Sequence, residues 1–159
     1  MGGVVHYRKG RWRWVATEIA FANGIELSAD GRHLFVAAYQ GGEIIRYARD
    51  RQTGDLSQRT VYARIPGHPD NLTWSRDSEA LVVASHDSLW DLFWHLRDPA
   101  NHASGGVYRV RGPGQVEPVF WDDGRRLDAP SVALEAPGDL LLGQVFDGEL
   151  LRCTQPAAD

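Results

Sequence analysis

Three side chains with amide or carboxylate oxygens open apolar runs in this chain. Asn23 precedes Gly24-Ile25-Glu26-Leu27, and Asp70-Asn71 precedes Leu72-Thr73-Trp74. Oxygen donors of this kind suit a hard cation such as Ca²⁺, which takes ~6–8 oxygen ligands. The same residue types also cap turns ahead of strands, and spacing alone leaves both readings open. Ser131 opens a third such run; no Gly-x-Ser-x-Gly elbow surrounds it, so it is not a nucleophile candidate. His86 closes the apolar run Leu81-Val82-Val83-Ala84-Ser85, where an imidazole can act as a general base if it reaches an activated water. The alternative is a loop-edge histidine with no role. His68 stands next to Pro69 and is the weaker candidate, while His33, His95 and His102 read as surface residues.

The elements that must position these residues are hairpins, and they repeat. Asn23 to Tyr39 reads as strand, turn and strand. Ile25, Leu27, Leu34 and Val36 supply its apolar positions, and Ser28-Ala29-Asp30-Gly31 makes the turn with a glycine free to take positive φ. His68 to His86 has the same layout, with Ser75-Arg76-Asp77 at the turn, and a fainter copy runs from Ala129 to Gly143. Between the copies lie further strands joined by short turns: Glu43 to Arg49, Ser57 to Arg64, Val107 to Val110 and Gln115 to Phe120. A four-stranded antiparallel meander of about 45 residues is the unit of a β-propeller blade. The chain therefore reads as an all-β partial β-propeller of about three four-stranded antiparallel blades. Residues 1–17 end one blade, 18–66 form a blade, 67–124 form a blade with an inserted loop, 125–154 form the final blade, and 155–159 are a tail. In a propeller the innermost strands converge on the axis, which would bring Asn23, Asp70 and Asn71 to a common point. Closed rings have ~4–8 blades, so this chain alone is not expected to close one.

One segment departs from the strand pattern. Residues 88–97, Ser-Leu-Trp-Asp-Leu-Phe-Trp-His-Leu-Arg, have apolar residues at mixed three- and four-residue spacing and predict a short helix capped by Asp87 or Ser88. Its Trp90, Phe93 and Trp94 are candidates to roof an apolar substrate pocket, or equally to pack against a neighbouring blade or a membrane surface.

Composition narrows the partners. The net charge of −4 and the absence of a basic run argue against nucleic acid. No apolar run approaches the ~20 residues of a transmembrane helix, and the N-terminal residues carry no apolar signal core. On that basis the chain as it stands is expected to be soluble and cytoplasmic. Cys153 is the single cysteine, so no internal disulfide is possible. Asn71-Leu72-Thr73 fits the glycosylation sequon, but a position at the axis argues against its use.

With these residues in view, the chain resembles the paraoxonase/arylesterase family, within the wider gluconolactonase and strictosidine-synthase-like group of six-bladed propellers. The resemblance rests on Ala22-Asn23-Gly24-Ile25 with Ser28-Ala29-Asp30-Gly31, on Asp70-Asn71-Leu72 with Leu81 to His86, and on Leu140 to Phe146 with Leu150 to Cys153. It is to the C-terminal half only. It implies a calcium-dependent hydrolase acting on a small ester or lactone. Asn23, Asp70 and Asn71 would be metal ligands, His86 would be on the pocket wall, and Ser131, Trp90, Phe93 and Trp94 would line the pocket. Members of that family are often exported. The family's further ligands and its catalytic histidine pair would lie outside this chain, so calcium binding is expected to be weak or absent in the chain alone. Two other expectations compete. One is a non-catalytic half-propeller that dimerises or binds a partner through its open blade edges. The other is a truncated reading frame in which Met1 is not the true start.

Overall fold

The computed structural model describes residues 1–77, 79–146 and 148–154. The expected tail lies outside these residues, as do Ser78 and Asp147 of the hairpin turns. Period-2 alternation and short glycine turns fold the chain into four antiparallel sheets in chain order. β1 (Gly2–Arg8) pairs with β2 (Arg11–Ile19). β3 (Ala22–Leu27), β4 (His33–Ala38), β5 (Glu43–Arg49) and β6 (Leu56–Arg64) form a four-stranded meander. A second meander is formed by β7 (His68–Trp74), β8 (Leu81–His86), β9 (Gly105–Gly112) and β10 (Gln115–Asp122). The last sheet has three strands, β11 (Pro130–Ala136), β12 (Asp139–Gln144) and β13 (Leu150–Thr154). This is a partial propeller of antiparallel blades, as the hairpin repeat predicts.

The Ser-x-Asp repeat has an atomic basis. In the first copy the Ser28 hydroxyl donates to Asp30 Oδ1 (2.6 Å), and the Arg32 and His33 amides donate to Asp30 Oδ1 and Ser28 Oγ, each at 2.9 Å. In the second copy Ser75 bonds to Asp77, and the Glu79 and Ala80 amides donate to Asp77 Oδ1 and Ser75 Oγ, each at 3.0 Å. Each turn thus satisfies its own backbone with two side chains. Gly31 supplies the positive φ of 67° that the first turn requires.

The core lies between the sheets. Leu34 and Val36 pack with Val4, Ile19, Ile45 and Tyr47, while Phe35 and Ala37 on the opposite face of β4 pack with Ile44, Leu72, Leu81 and Val83. Val82 points the other way, to Val107, Leu127, Ala133, Leu140 and Leu142. Strands β4 and β8 are therefore buried on both faces, which explains their nearly unbroken apolar runs. Each such buried side chain stabilises the fold by roughly 1.5–3 kcal/mol.

The inner strands β3, β7 and β11 lie side by side, and side chains of the middle one bridge the gaps. Trp74 Nε1 donates to the Leu27 carbonyl (2.6 Å), Thr73 Oγ1 to the Ala133 carbonyl (2.7 Å), and Asn71 Nδ2 to the Ser131 carbonyl (2.9 Å). Gly24 permits this approach: a Cβ there would sit 2.8 Å from Asn71 Cα and would also meet the Asp70 carbonyl. The outer two of these strands are not covered equally. Ile25 and Leu27, expected to be core positions, are 52% and 40% exposed, and Val132 and Leu134 on the far flank are 37% and 50% exposed. They share the apolar pattern of β7 but no inner strand packs over them among the described residues.

The inserted helix is present as α1 (Leu89–Arg97). Ser88 caps it, its Oγ accepting from the amides of Trp90 (3.2 Å) and Asp91 (3.3 Å). His95, expected at the surface, is buried instead. It stacks on Phe146 with ring centroids 4.0 Å apart, and its Nδ1 lies 3.0 Å from Asp128 Oδ2. A nine-residue helix has no stable register in isolation, so its docking partner rather than its own periodicity chose the buried face.

Candidate functional site

Each inner strand carries a one-residue bulge, and the candidate ligands sit in the bulges. In the first meander Ala22 pairs with Ala38 and the next pair is Ile25 with Val36, leaving Asn23 and Gly24 against a single residue. In the second, Pro69 pairs with Ser85 and then Leu72 with Val83, leaving Asp70 and Asn71. In the third, Pro130 pairs with Gln144 and then Val132 with Gly143, leaving Ser131. A bulge re-aims the side chain it frees from the ladder. The backbone just ahead of two of the bulges is left-handed at non-glycine residues, Phe21 (φ 57°) and Ala129 (φ 54°), and Gly67 (φ 80°) stands ahead of the third. Such conformations persist only where surrounding packing holds them.

Around the middle bulge lies a small polar cluster. Asp70 is buried, and its single ion-pair neighbour among the described residues is His86, with Nε2 3.8 Å from Asp70 Oδ2. Burial pushes the Asp70 carboxyl up to about 6, against the pull of the neighbouring Asn23 amide. Burial likewise depresses the His86 imidazole to about 4, although the carbonyls of Ala129 and Pro130 favour its protonation. His86 Nδ1 is 2.6 Å from the Tyr39 hydroxyl, while among the described residues His86 Nε2 is buried without a hydrogen-bond partner. Burial also raises the Tyr39 phenol to about 12, with the Asp70 charge adding to the rise. His68 donates from Nδ1 to the Tyr39 carbonyl (3.1 Å), and the two rings lie 5.4 Å apart.

The residues fit an oxygen-liganded cation in kind. Asn71 commits its amide nitrogen to the Ser131 carbonyl, which frees its Oδ1 as a donor. Asp70 offers a buried carboxylate with no guanidinium or ammonium beside it among the described residues. Asn23, exposed at the rim, completes the set. This donor set is rich in amides, and among the described residues no group of three or more His, Cys, Asp or Glu is arranged to hold a metal.

The other expected residues are placed differently. Ser131 is half-buried and meets Asn71 through its backbone rather than its hydroxyl. Trp90, Phe93 and Trp94 are exposed on α1; their rings contact one another, and the Arg97 guanidinium lies 4.8 Å over the Phe93 ring. Two residues of the cluster were missed by sequence reasoning. Tyr39 holds the repeat position of His86: Val36-Ala37-Ala38-Tyr39 aligns with Val83-Ala84-Ser85-His86. His68 was given little weight because its only sequence cue was a neighbouring proline.

The fold is that of a partial propeller, and its bulged inner strands carry the candidate oxygen donors. The arylesterase family profile matches residues 1–154, and the chain belongs to that family. Serum paraoxonase/arylesterase 1 from Homo sapiens is 28% identical over 152 residues, covering 90% of this chain and 40% of that protein. Human serum paraoxonase/arylesterase 2 is 30% identical over 148 residues with the same coverage, 90% of this chain and 40% of that protein. The chain thus spans about 40% of the length of these curated relatives. Among solved structures, a gluconolactonase from Xanthomonas campestris superposes with a TM-score of 0.58 at 22% identity, covering 84% of this chain and 37% of that one. Regucalcin from Agrobacterium tumefaciens, described as a calcium-binding protein, superposes with a TM-score of 0.61 at 17% identity, covering 92% of this chain and 46% of that one. At these identities the likeness is one of fold. No described helix is long and apolar enough to cross a membrane.

Proposed function

We propose that this chain supplies one sector of the site of a calcium-dependent hydrolase acting on a small ester or lactone. The observation that carries the reading is Asp70, a buried carboxylate without a strong cationic partner, flanked by Asn23 and Asn71 on bulged inner strands. Asn23, Asp70 and Asn71 would hold the ion. Bound Ca²⁺ supplies electrostatic stabilisation of the negative charge that develops on a carbonyl oxygen under attack. The protein's own residues do the rest. Packing of β3 and β7 at Gly24 holds the donors together, the cross-strand bond from Asn71 to Ser131 fixes the amide's orientation, and His86 lines the pocket wall. Membership of the arylesterase family and a fold shared with a gluconolactonase support this substrate class.

In an assembly completed by the polypeptide that supplies the remaining ligands, calorimetric titration with Ca²⁺, paired with hydrolysis of a phenyl ester with and without chelator, tests the reading. Binding that disappears in Asp70→Ala, together with chelator-sensitive turnover, is the expected result. Heat-silent titration to millimolar Ca²⁺ with chelator-insensitive turnover would remove it. A second reading is favoured by the exposed Ile25 and Leu27 on one flank and Val132 and Leu134 on the other. In it these flanks are covered by another polypeptide, most simply a second copy of the chain closing the ring. Light scattering that finds only monomer at micromolar concentration would eliminate the homodimer.

A further inference from the structure

Within the polar cluster, the contact between Tyr39 and His86 decides which nitrogen of His86 carries the proton. The Tyr39 hydroxyl and His86 Nδ1 are 2.6 Å apart in a buried setting. Two arrangements satisfy that contact. If Nδ1 were protonated, the hydroxyl would accept, its own hydrogen would have no acceptor among the described residues, and the Nε2 lone pair would face the Asp70 carboxylate 3.8 Å away. If Nε2 is protonated, the hydroxyl donates to Nδ1 and the Nε2–H points towards a negative group. The second arrangement gives the hydroxyl hydrogen an acceptor and turns the electrostatics at Nε2 from repulsive to attractive.

Tyr39 is itself held in place. Its carbonyl accepts from His68 Nδ1 (3.1 Å), and its ring lies 5.4 Å from the His68 ring and edge-on to His86 at 5.6 Å. The phenol therefore reaches His86 from a fixed direction. Among the described residues the Nε2–H completes no hydrogen bond: Asp70 at 3.8 Å is beyond range, and the nearby Ala129 and Pro130 carbonyls favour a proton on the ring without closing a bond to it. A buried donor left unpaired beside a candidate cation site is aimed at something that arrives with a ligand.

We propose that Tyr39 is a positioning residue that locks His86 in its Nε2–H tautomer, so that His86 offers a hydrogen-bond donor to a substrate oxygen instead of acting as a general base. Resting on the ester or lactone reading above, the acceptor is the carbonyl oxygen or a carboxylate oxygen of the substrate or product. The assignment replaces the base role expected for His86 from the sequence, and no proton leaves the imidazole.

Long-range ¹H–¹⁵N NMR of the imidazole nitrogens tests this directly, with His86→Gln identifying the His86 signals by their absence. The wild type is expected to show Nε2 protonated and Nδ1 unprotonated, and Tyr39→Phe to convert this pattern to a mixture of tautomers. Protonated Nδ1 in the wild type, or an unchanged pattern in Tyr39→Phe, overturns the proposal. In turnover of a phenyl ester, His86→Gln, which keeps an N–H donor near the Nε2 place, is expected to lose less than His86→Leu, which loses about 100-fold. Equal losses in the two variants overturn the donor role. If the expected NMR pattern appears in a chain that takes up no Ca²⁺, the tautomer assignment stands and the calcium reading falls.

Discussion

Two histidine–aspartate clusters sit close together in this molecule, and they are built to opposite ends. At the α1 docking site, both oxygens of Asp128 are engaged, although the His95 Nδ1 hydrogen bond itself goes to the Asn101 carbonyl (2.8 Å). Asp128 Oδ1 accepts from the Ala103 amide (2.9 Å), and Asp128 Oδ2 lies 3.0 Å from His95 Nδ1 and 3.2 Å from His102 Nδ1. The Asp128 amide in turn donates to Gln144 Oε1 (2.6 Å). At the mouth of the axis, Asp70 has His86 at 3.8 Å and His86 Nε2 has no partner among the described residues. Both carboxylates are buried. A carboxylate that has spent its lone pairs on neighbours holds structure together, whereas one left short of partners holds capacity for a ligand. The difference distinguishes a structural latch from the cluster proposed above as a site.

The largest effect expected is at the latch. Asp128→Asn leaves two imidazoles without their carboxylate, and urea unfolding should report a loss of about 3 kcal/mol. The corresponding change at the mouth should have the opposite sign. Asp70→Asn removes an under-compensated buried charge and should stabilise the calcium-free protein at pH 7.5 by about 2–3 kcal/mol. The same variant should abolish stabilisation by Ca²⁺ in thermal melts. Destabilisation by both substitutions would erase the distinction drawn between the clusters.

The pH dependence sharpens it. Asp70 is raised from 3.8 to about 6, so the folded protein binds this proton more tightly than the unfolded chain, and the stability it contributes is full below pH 3.8 and lost as pH rises through about 6. His86 is lowered from 6.5 to about 4, so its contribution is full above pH 6.5 and lost as pH falls through about 4. The two slopes oppose one another over the shared window. Asp70→Asn should leave the His86 slope uncovered, with stability rising by about 3 kcal/mol between pH 4 and 6.5. A variant whose stability is as flat as the wild type over that range would show that the two groups do not face each other.

Smaller effects probe the supports. Gly24→Ala drives a methyl group into the backbone of β7 and should cost about 1–3 kcal/mol while weakening Ca²⁺ binding. Ser88→Ala removes the α1 cap and should cost about 1 kcal/mol with no change in Ca²⁺ affinity. A cap variant that altered the metal response would tie α1 to the mouth more closely than its contacts imply.

Much of the architecture was readable from residue types. The alternation Leu34-Phe35-Val36-Ala37 requires a strand with two buried faces, and Ser28-x-Asp30 and Ser75-x-Asp77 require tight turns, because both patterns act through neighbours within a few residues. Their recurrence implied blades, and it placed the asparagines and aspartate at the starts of the inner strands. The family resemblance followed the same residues. What was not readable depended on contacts between distant segments. Ile25 and Leu27 have the pattern of core residues, and their exposure depends on what packs over β3. His95 has the composition of a surface residue, and it is buried because Asp128 and Phe146 meet α1 from the last sheet.

The sequence by itself determined strands, turns and the repeat, since each rests on period-2 burial or on hydrogen bonds made within a turn. Only the tertiary structure decided that Tyr39 meets His86 across 47 residues, that Asp70 has His86 at 3.8 Å as its single ion-pair neighbour among the described residues, and that Asp128 is met by two histidines and a backbone amide. Those outcomes depend on how the bulged inner strands line up in space, and one residue of register is enough to turn a side chain from one face of a strand to the other.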